Sequence, residues 1–140
     1  MITKCKTKIE AAGHSSNVDY LKTMLPKIDA SDNTFDVVTI SMVIHHLVKL
    51  DDNGKVSDWS PIINTFREAK RVLKPKGVLI IGYSTPEQRG GNWYAHLVPK
   101  TRLRTIARCP SGLQVLDFCQ QAGFEVQSDY SLMTHYRMFF

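Results

Sequence analysis

Two short apolar runs on either side of one amphipathic segment constrain the fold of this chain most strongly. Residues 35–41 read FDVVTIS and residues 77–83 read GVLIIGY. Such nearly continuous hydrophobicity is typical of strands that are covered on both faces of a parallel sheet. A helix is predicted between them over residues 60–73, with its apolar face formed by Ile62, Phe66, Ala69 and Leu73. Strand, helix and strand in this order predict a right-handed βαβ unit, and therefore an α/β fold with a mostly parallel sheet.

The flanking segments extend this pattern. A second helix is predicted over residues 111–122, because Ser111 and Gln114 can form a capping box and Gly123 can end the helix. A short N-terminal helix ends near Gly13, and its apolar positions are Ile2, Cys5, Ile9 and Ala12. The remaining predictions are a short strand over residues 17–21 and closing strands over residues 124–132 and 134–140.

Composition narrows the class of protein. At 140 residues, with 43% hydrophobic and 22% charged residues, the chain has the size and make-up of one globular domain, residues 1–140. It lacks the roughly 18 consecutive apolar residues that cross a bilayer, and its N-terminus has no apolar signal-peptide region. The three cysteines, Cys5, Cys109 and Cys119, form no CxxC pair, so we expect neither a disulfide framework nor a metal site. A soluble, cytoplasmic protein is expected.

Two longer runs resemble a known family. The segment DNTFDVVTISMVIHHL carries the pattern D-x-x-F-D-x-V, and FREAKRVLKPKGVLIIGYSTPEQ carries R-x-L-K-P-x-G. With the later NWYAHLVPK and LQVLDFCQQAGFEV, they resemble the second half of a class I S-adenosylmethionine-dependent methyltransferase of the small-molecule, type 11-like kind. The resemblance implies a partial Rossmann-like fold with an antiparallel closing strand, S-adenosylmethionine as cofactor, and methyl transfer to a small-molecule acceptor.

One hallmark of that family is absent from the sequence. Its cofactor loop has the form D/E-x-G-x-G-x-G, in which glycines let the backbone approach the ligand, whereas no two glycines here lie two positions apart. We therefore expect a methyltransferase-like domain that is N-terminally truncated and lacks the first βαβ unit. By resemblance, residues 84–110 are predicted to form the lid or acceptor insertion.

Candidate cofactor contacts come from two places. In open α/β sheets, ligands bind at the carboxyl ends of strands, which singles out the residues after the first apolar run: Ser41, Met42 and Val43. The resemblance adds a second group, which occupies the place of a family Gly-Asp-Ala: Thr23, Met24 and Leu25. The family's Asp binds the adenine amino group there, whereas Met24 offers only a thioether and apolar contact.

Acceptor and catalytic candidates follow the same edge of the predicted sheet. The predicted acceptor contacts, each weighed against simple packing or solvation, are Tyr83, Glu87, Trp93 and Tyr94. His45 or His46 could act as a general base, against the alternative of a histidine that hydrogen-bonds in the core. Adjacent helical residues point about 100° apart, so this pair is not predicted to bind a metal.

Three function classes remain on the sequence alone. The first is the methyltransferase, and the second is a catalytically inactive relative that acts as a binding or dimerisation partner. An unpaired edge on strand 35–41 would recruit another strand, so we expect a homodimer, a partner chain, pairing with the chain's own third strand, or aggregation. The third class, a nucleic-acid-binding module, draws on the net charge of +5, but the basic residues are scattered and no such partner is predicted.

Overall fold

The computed structural model describes residues 2–86 and 107–127. The described helices and strands are α1 (Ile2–Ala11), β1 (Phe35–Ser41), β2 (Lys49–Leu50), β3 (Val56–Asp58), α2 (Ser60–Val72), β4 (Leu73–Gly82) and α3 (Gly112–Gln121). Single turns of 3₁₀ helix occupy Ser15–Asn17 and Ile44–His46.

The predicted βαβ unit is present. β1 and β4 pair in parallel, with Val37 opposite Val78 and Ser41 opposite Gly82, and α2 connects back into β4 without a loop. Leu73, which the periodicity assigned to the helix, instead begins β4 and pairs with Phe35. The α/β class with a parallel sheet is therefore confirmed.

The start of β4 is irregular. The register shifts between Phe35 and Val37, and Lys76 lies in the left-handed region at φ 67°. A side chain at Gly77 would come within 2.9 Å of the Lys74 carbonyl oxygen, so glycine permits this close approach.

The core lies on one face of this sheet. α2 and α3 pack together there over the inward side chains of the strands, and the buried cluster comprises Ile40, Ile44, Ile62, Phe66, Ala69, Val115, Phe118, Cys119 and Ala122. Trp59 packs on Phe118 with ring centroids 5.8 Å apart. The layer arrangement is thus helices on a sheet, with the amphipathic face of α2 fully covered.

The opposite face of the sheet corrects the sequence prediction that both strands are covered on both sides. Val37 is 51% exposed, Val78 46% and Ile80 53%. Among residues 2–86 and 107–127, the sheet contains only β1 and β4, and helices pack on one side of it. Three of the side chains that alternate outward, Val37, Val78 and Ile80, are as apolar as the inward ones, and Thr39 is the polar residue between them, so the sequence pattern did not distinguish the two faces.

The remaining predicted elements are only partly present in the described structure. α3 begins with the predicted capping box, in which Ser111 accepts from the Gln114 backbone N–H and the Gln114 side chain accepts from the Ser111 N–H. α1 is present, and Gly13 follows it at φ 74°. Residues 17–21 form no strand, and residues 124–127 are also irregular, while the rest of the predicted closing strands, residues 128–132 and 134–140, lies outside the described residues. Both segments alternate in polarity, but neither pairs with a strand in the described structure, and a strand needs a partner to form.

No helix in the described part of the chain is long and apolar enough to span a membrane.

Candidate functional site

The carboxyl ends of β1 and β4 meet at one edge of the sheet, because the two strands are parallel. The backbone N–H of Met42 donates to the Gly82 carbonyl at 2.7 Å, directly beyond the last strand pair. The Ser84 hydroxyl donates to the Met42 Sδ at 3.8 Å. Ser41 lies beside the same point, since a side chain at Gly82 would come within 3.6 Å of its Oγ. We call this group of residues, Ser41, Met42, Gly82 and Ser84, the strand-end edge.

Met42 has an unusual backbone at this edge. Its φ is 55°, in the left-handed region that side chains other than Gly, Asn and Asp rarely adopt. The residue is 47% exposed, so part of it is accessible to a ligand. Val43, the third predicted cofactor contact, is half-buried against the core. Ser41 and Met42 therefore offer accessible polar and polarisable atoms, and Val43 offers a packed apolar wall.

The two histidines follow in the 3₁₀ turn and differ in exposure. His45 is buried, with 7% of its surface exposed, whereas His46 is exposed. Their rings lie 4.0 Å apart between centroids and are tilted by 42°. The pair thus presents one imidazole to solvent and one to the interior, as expected for neighbours on a helical turn.

Tyr83 turns toward the helices. It is half-buried and packs against the core, and a side chain at Gly112, the first residue of α3, would lie 3.7 Å from its hydroxyl. The N-terminus of α3 therefore lies next to the carboxyl end of β4. Tyr83 closes the helix side of the strand-end edge.

The second predicted group of cofactor contacts lies in the segment before β1. The Thr23 hydroxyl donates to the Lys27 carbonyl at 2.9 Å, Met24 is 86% exposed, and Leu25 is half-buried. The described bonds of this segment lead toward α2, through the Ile28 N–H that donates to Glu68. The structure thus brings Ser41 and Met42 together with Ser84, and it shows no bond from residues 23–25 to them. Glu87, Trp93 and Tyr94, and most of the predicted lid over residues 84–110, lie outside the described residues.

The ion pairs of residues 2–86 and 107–127 include none of the residues of the strand-end edge. Asp58 accepts the Ser60 backbone N–H at 2.7 Å and the Lys49 ammonium at 2.9 Å. These bonds, the backbone one first, lower the pKa of Asp58 from 3.8 to about 2. Asp58 is therefore ionised at neutral pH and satisfies the first turn of α2.

The cysteines and acidic residues offer no metal centre in residues 2–86 and 107–127, where no cluster of three or more potential ligands occurs. Cys119 is buried in the core, and burial raises the pKa of its thiol.

The sequence places Ser84 after the second apolar run, where it opens into the same crevice, but does not single it out as a ligand contact. Its signal is position alone, because Ser84 and Met42 each follow the end of one of two parallel strands. The left-handed backbone of Met42 has no sequence signal, since methionine is not a turn residue.

Comparisons with known proteins indicate the family of this chain. The family model described as a methyltransferase domain matches residues 1–81. The crystal structure of an S-adenosylmethionine-dependent methyltransferase from Aquifex aeolicus is similar, with a TM-score of 0.60 and 25% sequence identity over 87% of this chain. That alignment covers 52% of the Aquifex chain, so the present chain spans about half its length. The comparison with curated protein sequences gives no match.

Proposed function

Since the chain belongs to the methyltransferase-domain family of class I S-adenosylmethionine-dependent methyltransferases, we propose that it takes part in methyl transfer from S-adenosylmethionine to a small-molecule acceptor. One observation supports this most directly. The bond from the Met42 N–H to the Gly82 carbonyl joins the two strand ends, and open α/β sheets bind ligands at such ends.

The residues of the strand-end edge fit one flank of this cofactor. Ser41 carries a hydroxyl that suits a ligand's polar groups, while Met42 and Val43 suit an aromatic ring or an aliphatic chain. When bound, S-adenosylmethionine supplies an electrophilic methyl carbon on a positively charged sulfur. We assign Ser41, Met42 and Val43 to cofactor contact and extend the assignment to Thr23, Met24 and Leu25 by resemblance.

On the acceptor side, residues of this chain would bind the methyl acceptor, orient it and remove a proton from it. His46 is the exposed imidazole and the better placed of the two to accept a proton from an acceptor, whereas His45 is buried. Alignment of acceptor and methyl carbon supplies much of the rate in such transfers. Tyr83 bounds the site on the helix side, and Glu87, Trp93 and Tyr94 are proposed as further acceptor contacts.

The test is isothermal titration of S-adenosylmethionine and S-adenosylhomocysteine into the 140-residue chain. We expect binding, and we expect Met42→Asp to weaken it at least tenfold, about 1.4 kcal/mol, because a carboxylate replaces the polarisable thioether. Val126→Asp is the matched control, since Val126 is 40% exposed and lies outside the site. No heat at millimolar ligand, or equal losses in both variants, would contradict the proposal.

A second candidate function is supported by the exposed sheet face. A catalytically inactive methyltransferase-like chain could use the apolar face formed by Val37, Val78 and Ile80, and the edge of β1 that pairs with no strand within residues 2–86 and 107–127, to bind a partner chain or a second copy. Light scattering across a concentration series tests self-association. Growth in mass with concentration that Ile80→Lys abolishes would favour this function, and a monomer at every concentration would argue against a homodimer.

A further inference from the structure

Met42 has a backbone conformation that is unfavourable for an L-residue with a side chain. In the left-handed region, the Cβ of an L-residue crowds the following carbonyl, so such a residue persists only where its surroundings hold it. At φ 55° and 47% exposed, Met42 is not held by burial. Bonds to neighbouring segments therefore help to hold this conformation.

Two such bonds are present. The Met42 backbone N–H donates to the Gly82 carbonyl at 2.7 Å, which anchors the main chain to β4. The Ser84 hydroxyl donates to the Met42 Sδ at 3.8 Å, which anchors the far end of the side chain to the segment after β4. A methionine has three rotatable side-chain bonds and is otherwise adaptable in position. Among residues 2–86 and 107–127, the Ser84 bond is thus a contact that favours one position for this thioether.

We propose that Ser84 is a positioning residue: its hydroxyl holds the Met42 thioether at the strand-end edge, so that cofactor affinity depends on Ser84 through Met42. This inference rests on the proposed function for its ligand, S-adenosylmethionine. Ser84 orients the methionine before the ligand arrives, and pre-orientation lowers the entropic cost of binding.

A double-mutant cycle tests whether Ser84 acts through Met42. We expect Ser84→Ala to raise the Kd for S-adenosylmethionine about threefold, the lower range for one hydrogen bond, because sulfur is a weak acceptor. Met42→Leu removes the sulfur acceptor but keeps a side chain of similar size. Ser84→Ala should therefore not raise the Kd any further in the Met42→Leu background. Ser84→Thr keeps the hydroxyl and should bind within twofold of wild type. The matched control is Ser57→Ala, because Ser57 is an exposed serine on β3 that bonds to the Lys49 carbonyl.

A second readout needs no ligand. In NMR spectra of chain labelled at its five methionine methyl groups, the Met42 signal should move in Ser84→Ala toward that of Met24, which is 86% exposed. The Ser84→Thr and Ser57→Ala variants should leave it in place.

These outcomes distinguish the positioning role of Ser84 from the proposed binding of S-adenosylmethionine. An unmoved Met42 signal in Ser84→Ala, or losses in affinity that multiply across the cycle, would overturn the positioning role. A wild-type chain that binds no S-adenosylmethionine while the Met42 signal still moves would confirm that Ser84 holds the thioether. It would overturn both the proposed cofactor and the dependence of its affinity on Ser84.

Discussion

Glu68 connects α2 to the loop that leads into β1. Its carboxylate accepts the Ile28 backbone N–H at 3.0 Å and the Arg71 guanidinium at 2.7 and 2.9 Å. Arg71 in turn donates to the Ile28 and Ala30 carbonyls, each at 2.9 Å. Replacing this carboxylate by the isosteric amide, Glu68→Gln, therefore tests whether charge holds the loop in place.

The expected loss in the free energy of unfolding follows from the lowered pKa of Glu68. The Arg71 hydrogen bonds, followed by the Ile28 N–H, lower its pKa from 4.5 to about 2. A shift of that size corresponds to about 3 kcal/mol of stability. The Glu68 and Arg71 side chains are 19% and 33% exposed, so we discount it for solvent screening to about 1–2 kcal/mol. Because the folded pKa is lowered, the contribution is complete above the unfolded pKa and is lost as pH falls from about 5 toward 2.

The assay is urea unfolding followed by tryptophan fluorescence, in which Trp59 reports on the core. At pH 7 we expect Glu68→Gln to reduce the free energy of unfolding by about 1–2 kcal/mol. By pH 3 the difference from wild type should fall to less than half, since the unfolded carboxylate is by then protonated.

A control carboxylate isolates the effect. Asp117, on the exposed face of α3, accepts only a side-chain hydrogen bond from Gln121 at 2.8 Å among the described contacts. We expect Asp117→Asn to cost less than about 0.5 kcal/mol at either pH. A Glu68→Gln chain as stable as wild type at pH 7, or a difference that widens as pH falls, would refute the electrostatic account.

Three other substitutions test the fold. Phe66→Ala should lower the free energy of urea unfolding by about 3–5 kcal/mol, because Phe66 is fully buried and the cavity cannot collapse; a loss below 1 kcal/mol would contradict this packing. Ser111→Ala should cost about 1 kcal/mol and speed amide exchange at Gln114, whose N–H it leaves unbonded; unchanged exchange would argue against the capping box. Gly77→Ala should cost about 1–3 kcal/mol and lower the Tm, because its Cβ would lie 2.9 Å from the Lys74 carbonyl oxygen, whereas an unchanged Tm would show that the β4 backbone yields there.

The helices could be predicted closely because their signals are local. α3 begins after Ser111 as its capping box predicts, and the periodic apolar face of α2 becomes the centre of the core. Each strand of the βαβ unit was also predictable, since Val, Ile and Leu form continuous runs. The short strand over residues 17–21 was not, because alternation in so few residues cannot supply the neighbouring strand on which its hydrogen bonds depend.

The candidate site was predictable only in part. That ligands bind beyond Ser41 follows from the order of strands, a topological rule that the sequence reveals. That Ser84 bonds to Met42 could not be foreseen, because the two residues are separated by 42 positions and meet only through the parallel register. The difference in exposure between His45 and His46 likewise depends on how the 3₁₀ turn sits on the core.

By itself, the sequence determined the class of fold, the α2 and α3 helices and the family, because these depend on periodicity, capping and short motifs along the chain. The tertiary structure alone decided which face of the sheet is covered. The inward side chains Val38, Ile40, Leu79 and Ile81 and the outward Val37, Val78 and Ile80 are equally apolar. Within residues 2–86 and 107–127, the packing of α2 and α3 on one side of the strands makes the first set a core and leaves the second exposed.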